Sequence, residues 1–237
     1  MIVVYLMGGL GNQMFQYAHG VSLAERFNTP LCINTEFYKT SARKPLLLKF
    51  PITHRDIKPC IEPWIREEGF PYQKIERSHG TLFGYWQSEK YFQDVSDLIR
   101  KEFALPTKNL DAVAVHVRRG DYLNLQNIHP IAPITYYKEA AKKYAGREFY
   151  VFSDDIKWCQ DHLELPGDVV YSKGNEFEDL TLMSGCESHI IANSTFSWWG
   201  AWLSGSKDVT VPMPWFANNL DTRDLIPDTW QSFQLTH

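Results

Sequence analysis

Two adjacent arginines carry the clearest chemistry in this chain. In His116-Val-Arg-Arg-Gly-Asp-Tyr122 they follow directly on a strand-like apolar run, Ala112 to Val117. An open α/β fold builds its ligand site in the crevice outside the carboxyl ends of its strands. A guanidinium placed there can donate two parallel hydrogen bonds to a phosphate, so the stretch points to a phosphorylated ligand. Strand alternation sends Arg118 and Arg119 to opposite faces, which lets one meet the ligand while the other anchors the turn. The competing reading is a surface ion-paired couple. His116 shares the parity of Arg118 and is either a further donor to the ligand or a satisfied core histidine.

Three other clusters stand in the same relation to an expected strand. Gly8-Gly-Leu-Gly-Asn12 follows the apolar start Met1 to Met7 and could bring backbone N–H groups to an anion at a helix N-terminus. It lacks the Gly-Lys-Ser/Thr ending of a P-loop, and Met14 occupies the third glycine position of a dinucleotide fingerprint. A plain strand-to-helix turn is the alternative. Ser153-Asp154-Asp155 suggests a divalent metal, but adjacent carboxylates at a strand end do not converge naturally, and capping of the next helix by Ser153 or Asp154 explains them as well. Asn193-Ser-Thr-Phe-Ser197 offers hydroxyls and backbone donors at another helix start, as a phosphate cradle or an ordinary N-cap. Phe196, Trp198, Trp199 and Trp202 have helical spacing, which is commoner in a core than in a sugar platform, and the tryptophans are expected to pack.

The elements that must position these groups alternate along the chain. A helix is expected through Met14, Tyr17, Ala18, Val21 and Ala24, and a strand over 31–34. Residues 35–88 are irregular, with prolines at 45, 51, 59, 63 and 71. A helix is expected over 90–103 and a linker over 105–110. Strands near 112–117, 148–152, 168–172, 188–192 and 208–211 then interleave with helices near 135–146, 155–163, 176–186 and 195–204. Such interleaving implies a mostly parallel sheet. Three of the polar clusters should share one rim of it, with the glycine turn opposite across a cleft.

Composition narrows the classes of function. The chain has 237 residues, 44% of them hydrophobic, and a formal net charge of -4. That charge speaks against nucleic acid as a partner. Four widely spaced cysteines with no C-x-x-C pair indicate neither a zinc site nor a disulfide framework. Reduced thiols in a cytoplasmic protein are the simplest expectation. The apolar start is too short for a signal peptide and no run approaches the ~20 residues of a membrane span. With export not expected, Arg119-Gly-Asp121 as an adhesion motif and Asn193-Ser-Thr195 as a glycosylation acceptor are discounted.

Taken together, GGLGNQMFQYA at 8–18, GYWQSEKYF at 84–92, HVRRGDY at 116–122, FSDD at 152–155 and ANSTFSWWGAWL at 192–203 resemble the bacterial branch of the family 11 glycosyltransferases, the α-1,2-fucosyltransferases that use GDP-fucose. The resemblance runs almost end to end, in a chain somewhat shorter than expected for the family. It implies an α/β, GT-B-like architecture of two Rossmann-like domains facing a central cleft. These are an acceptor-side domain over 1–105 and a GDP-sugar donor-side domain over 106–237. It implies inverting transfer from GDP-β-L-fucose to a galactoside hydroxyl, expected to be O2, in surface glycan or O-antigen synthesis, with no required metal or cofactor. The partners implied are GDP-fucose as donor and a galactose-containing oligosaccharide or lipid-linked glycan as acceptor. A lipid-linked acceptor would bring the enzyme to the inner face of a membrane. Among the site residues, Arg118 falls on the expected diphosphate contact, with His116 and Arg119 in the same donor motif. Asn193, Ser194, Thr195 and Phe196 fall on the segment around the nucleotide, Gly11 and Asn12 on the amino-domain turn, and Asp154 beside the donor motif. Asp121 is the nearest candidate base for the acceptor hydroxyl, although two neighbouring arginines weaken it for that role. It serves otherwise to hold them in place. Another GDP-sugar, another linkage, or a non-catalytic nucleotide-sugar-binding protein are the alternatives.

Overall fold

The computed structural model describes residues 1–218 and 220–235. The chain divides into two compact α/β units, Met1–Ala104 with Asp221–Pro227, and Leu105–Leu220 with the segment from Asp228 onward. Residues 221–227 were expected in the second domain, but they pack with the first. Asp224 accepts the Tyr72 N–H at 2.8 Å and pairs with the Lys90 ammonium, and the Ser88 hydroxyl donates to its carbonyl at 2.5 Å.

The first unit contains β1 (Ile2–Tyr5), α1 (Leu10–Phe27), β2 (Leu31–Asn34), β3 (Trp64–Arg66), β4 (Gly80–Phe83) and α2 (Ser96–Glu102). Its four strands are all parallel, in the order β2-β1-β4-β3. The turn from β1 to α1 rests on Gly8, whose φ of 77° is the left-handed region that a side chain disfavours. The helix expected over 90–103 is shorter than its apolar spacing suggested. Two 3-10 turns, Glu89–Tyr91 and Gln93–Val95, precede α2. The three-residue step from Phe92 to Val95 suits a 3-10 turn as well as an α-helix. Phe50, Phe103 and Tyr17 pack in the interior, with ring centroids 5.1 and 5.9 Å apart in the pairs that share Phe103.

The second unit contains β5 (Leu110–Val117), α3 (Ile134–Ala141), β6 (Glu148–Ser153), α4 (Ile156–His162), β7 (Asp168–Tyr171), α5 (Glu176–Gly185), β8 (Cys186–Ile190), α6 (Thr195–Ser204), β9 (Val209–Met213) and β10 (Gln231–Gln234). The sheet is wholly parallel, in the order β10-β9-β8-β5-β6-β7. This is the doubly wound order of a dinucleotide-binding fold, reversing between β5 and β8. β5 is buried from Ala112 to Val117, as befits a central strand covered on both faces. Tyr136, Tyr137 and Cys159 from α3 and α4 pack on one side of it, and Met183 from α5 on the other.

Candidate active site

The strand reversal places the ends of β5 and β8 side by side, and the arginine motif leaves one of them while Asn193–Phe196 leaves the other. This is the topological switch point at which parallel sheets bind nucleotides. Arg118 is held from two sides. Its Nη2 donates to Asp121 at 2.6 Å and its Nη1 lies 2.9 Å from Asp154, with the guanidinium carbon 5.4 Å above the Tyr122 ring. The side chain stays 26% exposed, so a pre-oriented cation faces solvent at the rim. Each of its terminal nitrogens carries a second hydrogen that can serve a further acceptor.

Arg119 turns the other way, as strand alternation requires. Its guanidinium lies 3.9 Å over the Trp158 ring and its Nε is 3.3 Å from Asp155. It therefore ties the turn to α4, which suits the anchoring role. Asp154 and Asp155 also part company. Asp154 accepts the Arg119 backbone N–H at 2.9 Å as well as pairing with Arg118, whereas Asp155 caps α4 by accepting the Trp158 N–H at 3.2 Å. The cap expected of Ser153 or Asp154 is thus supplied one residue later, because Asp154 is already committed to the arginines. Gly120 between the motif's arginines and Asp121 is required by close approach. A Cβ built there would lie 2.4 Å from the Asp154 Oδ2.

His116 is buried, its Nδ1 2.8 Å from the Ser197 hydroxyl and its ring 5.8 Å from that of Phe196. Burial, with the Arg118 charge nearby, holds its pKa down at about 3, so the imidazole is neutral at physiological pH. Asn193 ties loops together. Its side-chain amide donates to the Pro130 and Trp215 carbonyls, both at 3.0 Å, and its own carbonyl accepts the Tyr122 hydroxyl at 3.0 Å. Ser194 caps α6 by accepting the Phe196 N–H, and Thr195 and Phe196 in its first turn are partly exposed. Trp198, Trp199 and Trp202 are buried and pack on one another.

Two further groups near this rim carry no motif in the sequence. Asp179, in the first turn of α5, lies against the Ser172 hydroxyl, and burial raises its carboxyl above the ordinary range. His129 stacks on Tyr122 with centroids 4.4 Å apart, and burial lowers its basicity. Only the fold brings these residues to the rim, since Asp179 is one acidic residue among several at an ordinary helix start.

In the first unit, Gly11 is the second residue of α1, buried, and Asn12 follows it, partly exposed. The Gln87 amide donates to the Asn12 Oδ1 at 3.1 Å, which joins the glycine turn to the loop after β4. Among the described residues, no group of three or more His, Cys, Asp or Glu is arranged to hold a metal ion, and no helix is long and apolar enough to cross a membrane.

Comparison with known proteins places the chain in a family. The chain is 32% identical to an α-1,2-colitosyltransferase of Escherichia coli over 97% of each chain. It is 27% identical to the O-antigen biosynthesis glycosyltransferase WbnK of the same organism, covering 95% of this chain and 98% of that one. Galactoside α-(1,2)-fucosyltransferase 1 of Bos taurus is 28% identical over 85% of this chain and 66% of its own. Among solved structures, the fucosyltransferase NodZ from Bradyrhizobium aligns with a TM-score of 0.51 at 12% identity, covering 85% of this chain and 92% of that chain. At that identity the likeness concerns the fold, which is GT-B-like. The model of glycosyl transferase family 11 matches residues 1–230, and the chain belongs to that family.

Proposed function

We propose that the protein transfers L-fucose from GDP-β-L-fucose, with inversion, to a hydroxyl of a galactoside, giving an α-1,2-fucoside in surface glycan synthesis. The observation that carries this reading is Arg118, braced by Asp121 and Asp154 at the switch point of a dinucleotide-type sheet. As the bond from fucose C1 to the phosphate oxygen breaks, its electron pair moves onto GDP and the sugar becomes oxocarbenium-like. A fixed guanidinium at that phosphate favours the charge as it develops, with no step that calls for a metal. The acceptor oxygen forms its bond to C1 from the opposite face and gives up its proton to a base or to water.

In this reading Arg118 contacts the diphosphate, and Ser194, Thr195 and Phe196 contact the nucleotide from the start of α6. His116 is a neutral wall of that site, and Arg119, Asp154 and Asn193 position the loops. Asp121 is a positioning residue for Arg118, to which it is already bonded at 2.6 Å, rather than a base. Gly11 and Asn12 are the substrate contacts of the first unit. Residues 1–104 constitute the acceptor side and the second unit the donor side. The cytoplasm is the expected compartment, and a lipid-linked acceptor would add a peripheral encounter with its membrane.

The 32% identity to a colitosyltransferase supports a second reading, transfer from GDP-colitose, whose sugar differs from fucose by a missing hydroxyl. A site that hydrogen-bonds the extra hydroxyl would reject the deoxy sugar strongly, and one that leaves it in solvent would not. The test is turnover of GDP-fucose and GDP-colitose with a panel of galactose-terminated acceptors, with and without EDTA, followed by linkage analysis. An α-1,2-fucoside formed equally well in EDTA is the expected product. A kcat/KM favouring GDP-colitose makes the second reading correct. GDP binding without transfer from either donor sinks both.

A further inference from the structure

In the first unit β1 and β4 are neighbouring parallel strands that are not consecutive in the chain, so the loops leaving them lie side by side at the carboxyl edge of the sheet. Three aromatic rings meet beside the ends of β1 and β4. Tyr5 ends β1, Phe83 ends β4 and Trp64 begins β3, with centroids 5.4 Å apart for Tyr5 and Phe83, 5.7 Å for Trp64 and Phe83, and 6.1 Å for Tyr5 and Trp64. All three remain partly exposed. The exposed Arg66 places its guanidinium carbon 4.9 Å over Phe83 and 5.4 Å over Trp64, which gives the cluster a cationic margin.

The other margin is phenolic. The Tyr38 hydroxyl donates to the Gly8 carbonyl at 3.1 Å, which fixes the ring beside the glycine turn. Burial raises its pKa, the Arg43 charge works against that, and the Tyr85 and Tyr5 phenols add to it. Tyr85 is itself 36% exposed and its backbone is held rigidly. Glu67 accepts the N–H groups of Tyr85 and Trp86 at 2.6 and 2.9 Å, and Trp86 takes a φ of 57°, a left-handed conformation that is costly for a tryptophan. Strain of this kind collects where a loop must hold a defined shape at a ligand.

Part-exposed ring faces bordered by phenols and a guanidinium complement a pyranose, which has apolar C–H faces and a ring of hydroxyls. We propose that this basin, with Tyr5, Trp64 and Phe83 as its floor and Tyr38, Tyr85 and Arg66 as its margin, seats the ring of the acceptor sugar. The assignment rests on the glycosyltransferase reading and identifies the acceptor subsite within it.

The test uses Trp64→Ala, Trp64→Phe and Tyr85→Ala with whichever galactose-terminated acceptor the unaltered protein modifies, at saturating donor, alongside GDP affinity by calorimetry. Losing one stacked ring should raise the acceptor KM about tenfold in Trp64→Ala, with partial recovery in Trp64→Phe. Tyr85→Ala should raise it severalfold, and GDP affinity should change by less than about twofold. An unchanged acceptor KM in both alanine variants overturns the basin, as does a loss of kcat or GDP affinity at constant KM. Should Trp64→Ala fold poorly, the Tyr85→Ala variant, at an exposed position, decides between these outcomes by itself. Failure of the underlying transferase reading shows separately, because the unaltered protein would then turn over no nucleotide sugar, and the basin assignment falls with it.

Discussion

At the scale of single residues, the contrast between Arg118 and Arg119 decides most of the chemistry. Arg118 is braced by two carboxylates yet open to solvent, whereas Arg119 lies on Trp158. Arg118→Ala is expected to lower kcat by a factor of about 100 or more, with the thermal midpoint little changed. Arg118→Lys should restore only part of the rate, since an ammonium cannot keep both carboxylates and a phosphate in one plane. Near-normal turnover of the alanine variant would remove Arg118 from the mechanism. Asp121→Asn separates holding from proton transfer. A positioning role predicts a modest fall in kcat with the pH profile unchanged, and loss of the acidic limb would restore Asp121 as the base. The motif and the opposite faces of the two arginines were legible in the sequence, because strand alternation is a strict rule. Asp121 was legible as a group that could hold them, but the contacts from outside the motif were not, since Asp154 and Trp158 reach the turn only through the pairing of β5 with β6.

Among the elements, apolar runs set between regular segments could be read directly, even short ones such as β2 and β7, and those inside the irregular stretch could not. β5 and β6 are central, buried strands whose composition announces them. β3 and β4, of three and four residues, lie in the proline-rich stretch where no alternation is long enough to register, and β10, Gln-Ser-Phe-Gln, has a single apolar residue. The acceptor basin was hidden for the same reason, because its rings belong to separate short strands. The turn after β5 makes its own prediction. Gly120→Ala drives a Cβ against the Asp154 carboxylate and should cost about 1–3 kcal/mol, as overpacking does. It should also weaken GDP binding, because the same carboxylate braces Arg118. A stability loss with GDP affinity intact would uncouple the turn from the site.

Over the whole molecule, three fully buried histidines set a response to acid. Burial lowers the pKa of His19 and His116 to about 3 and that of His189 to about 4. The unfolded chain therefore takes up protons near pH 6.5 that the folded chain refuses until well below it. The stability they contribute is complete above that pH and is lost as the pH falls towards 4 and then 3. Each extra proton adds about 1.4 kcal/mol per pH unit to the slope. Denaturation midpoints between pH 7 and 4 should fall steeply, and His189→Gln should flatten the decline if its uncharged amide keeps the Ser204 contact. An unaltered slope would mean that other groups govern acid unfolding.

The excursion of residues 221–227 into the first unit has a consequence for biosynthesis. The chain crosses from one unit to the other at Ala104, at Leu220 and again at Pro227. The anchor that Asp224 offers to Tyr72 and Lys90 is thus made only after residues 105–220 of the second unit. The first unit to be translated cannot complete its packing until residues 105–220 of the second have been made. The two must mature together, and no single cut in the gene would release either of them whole.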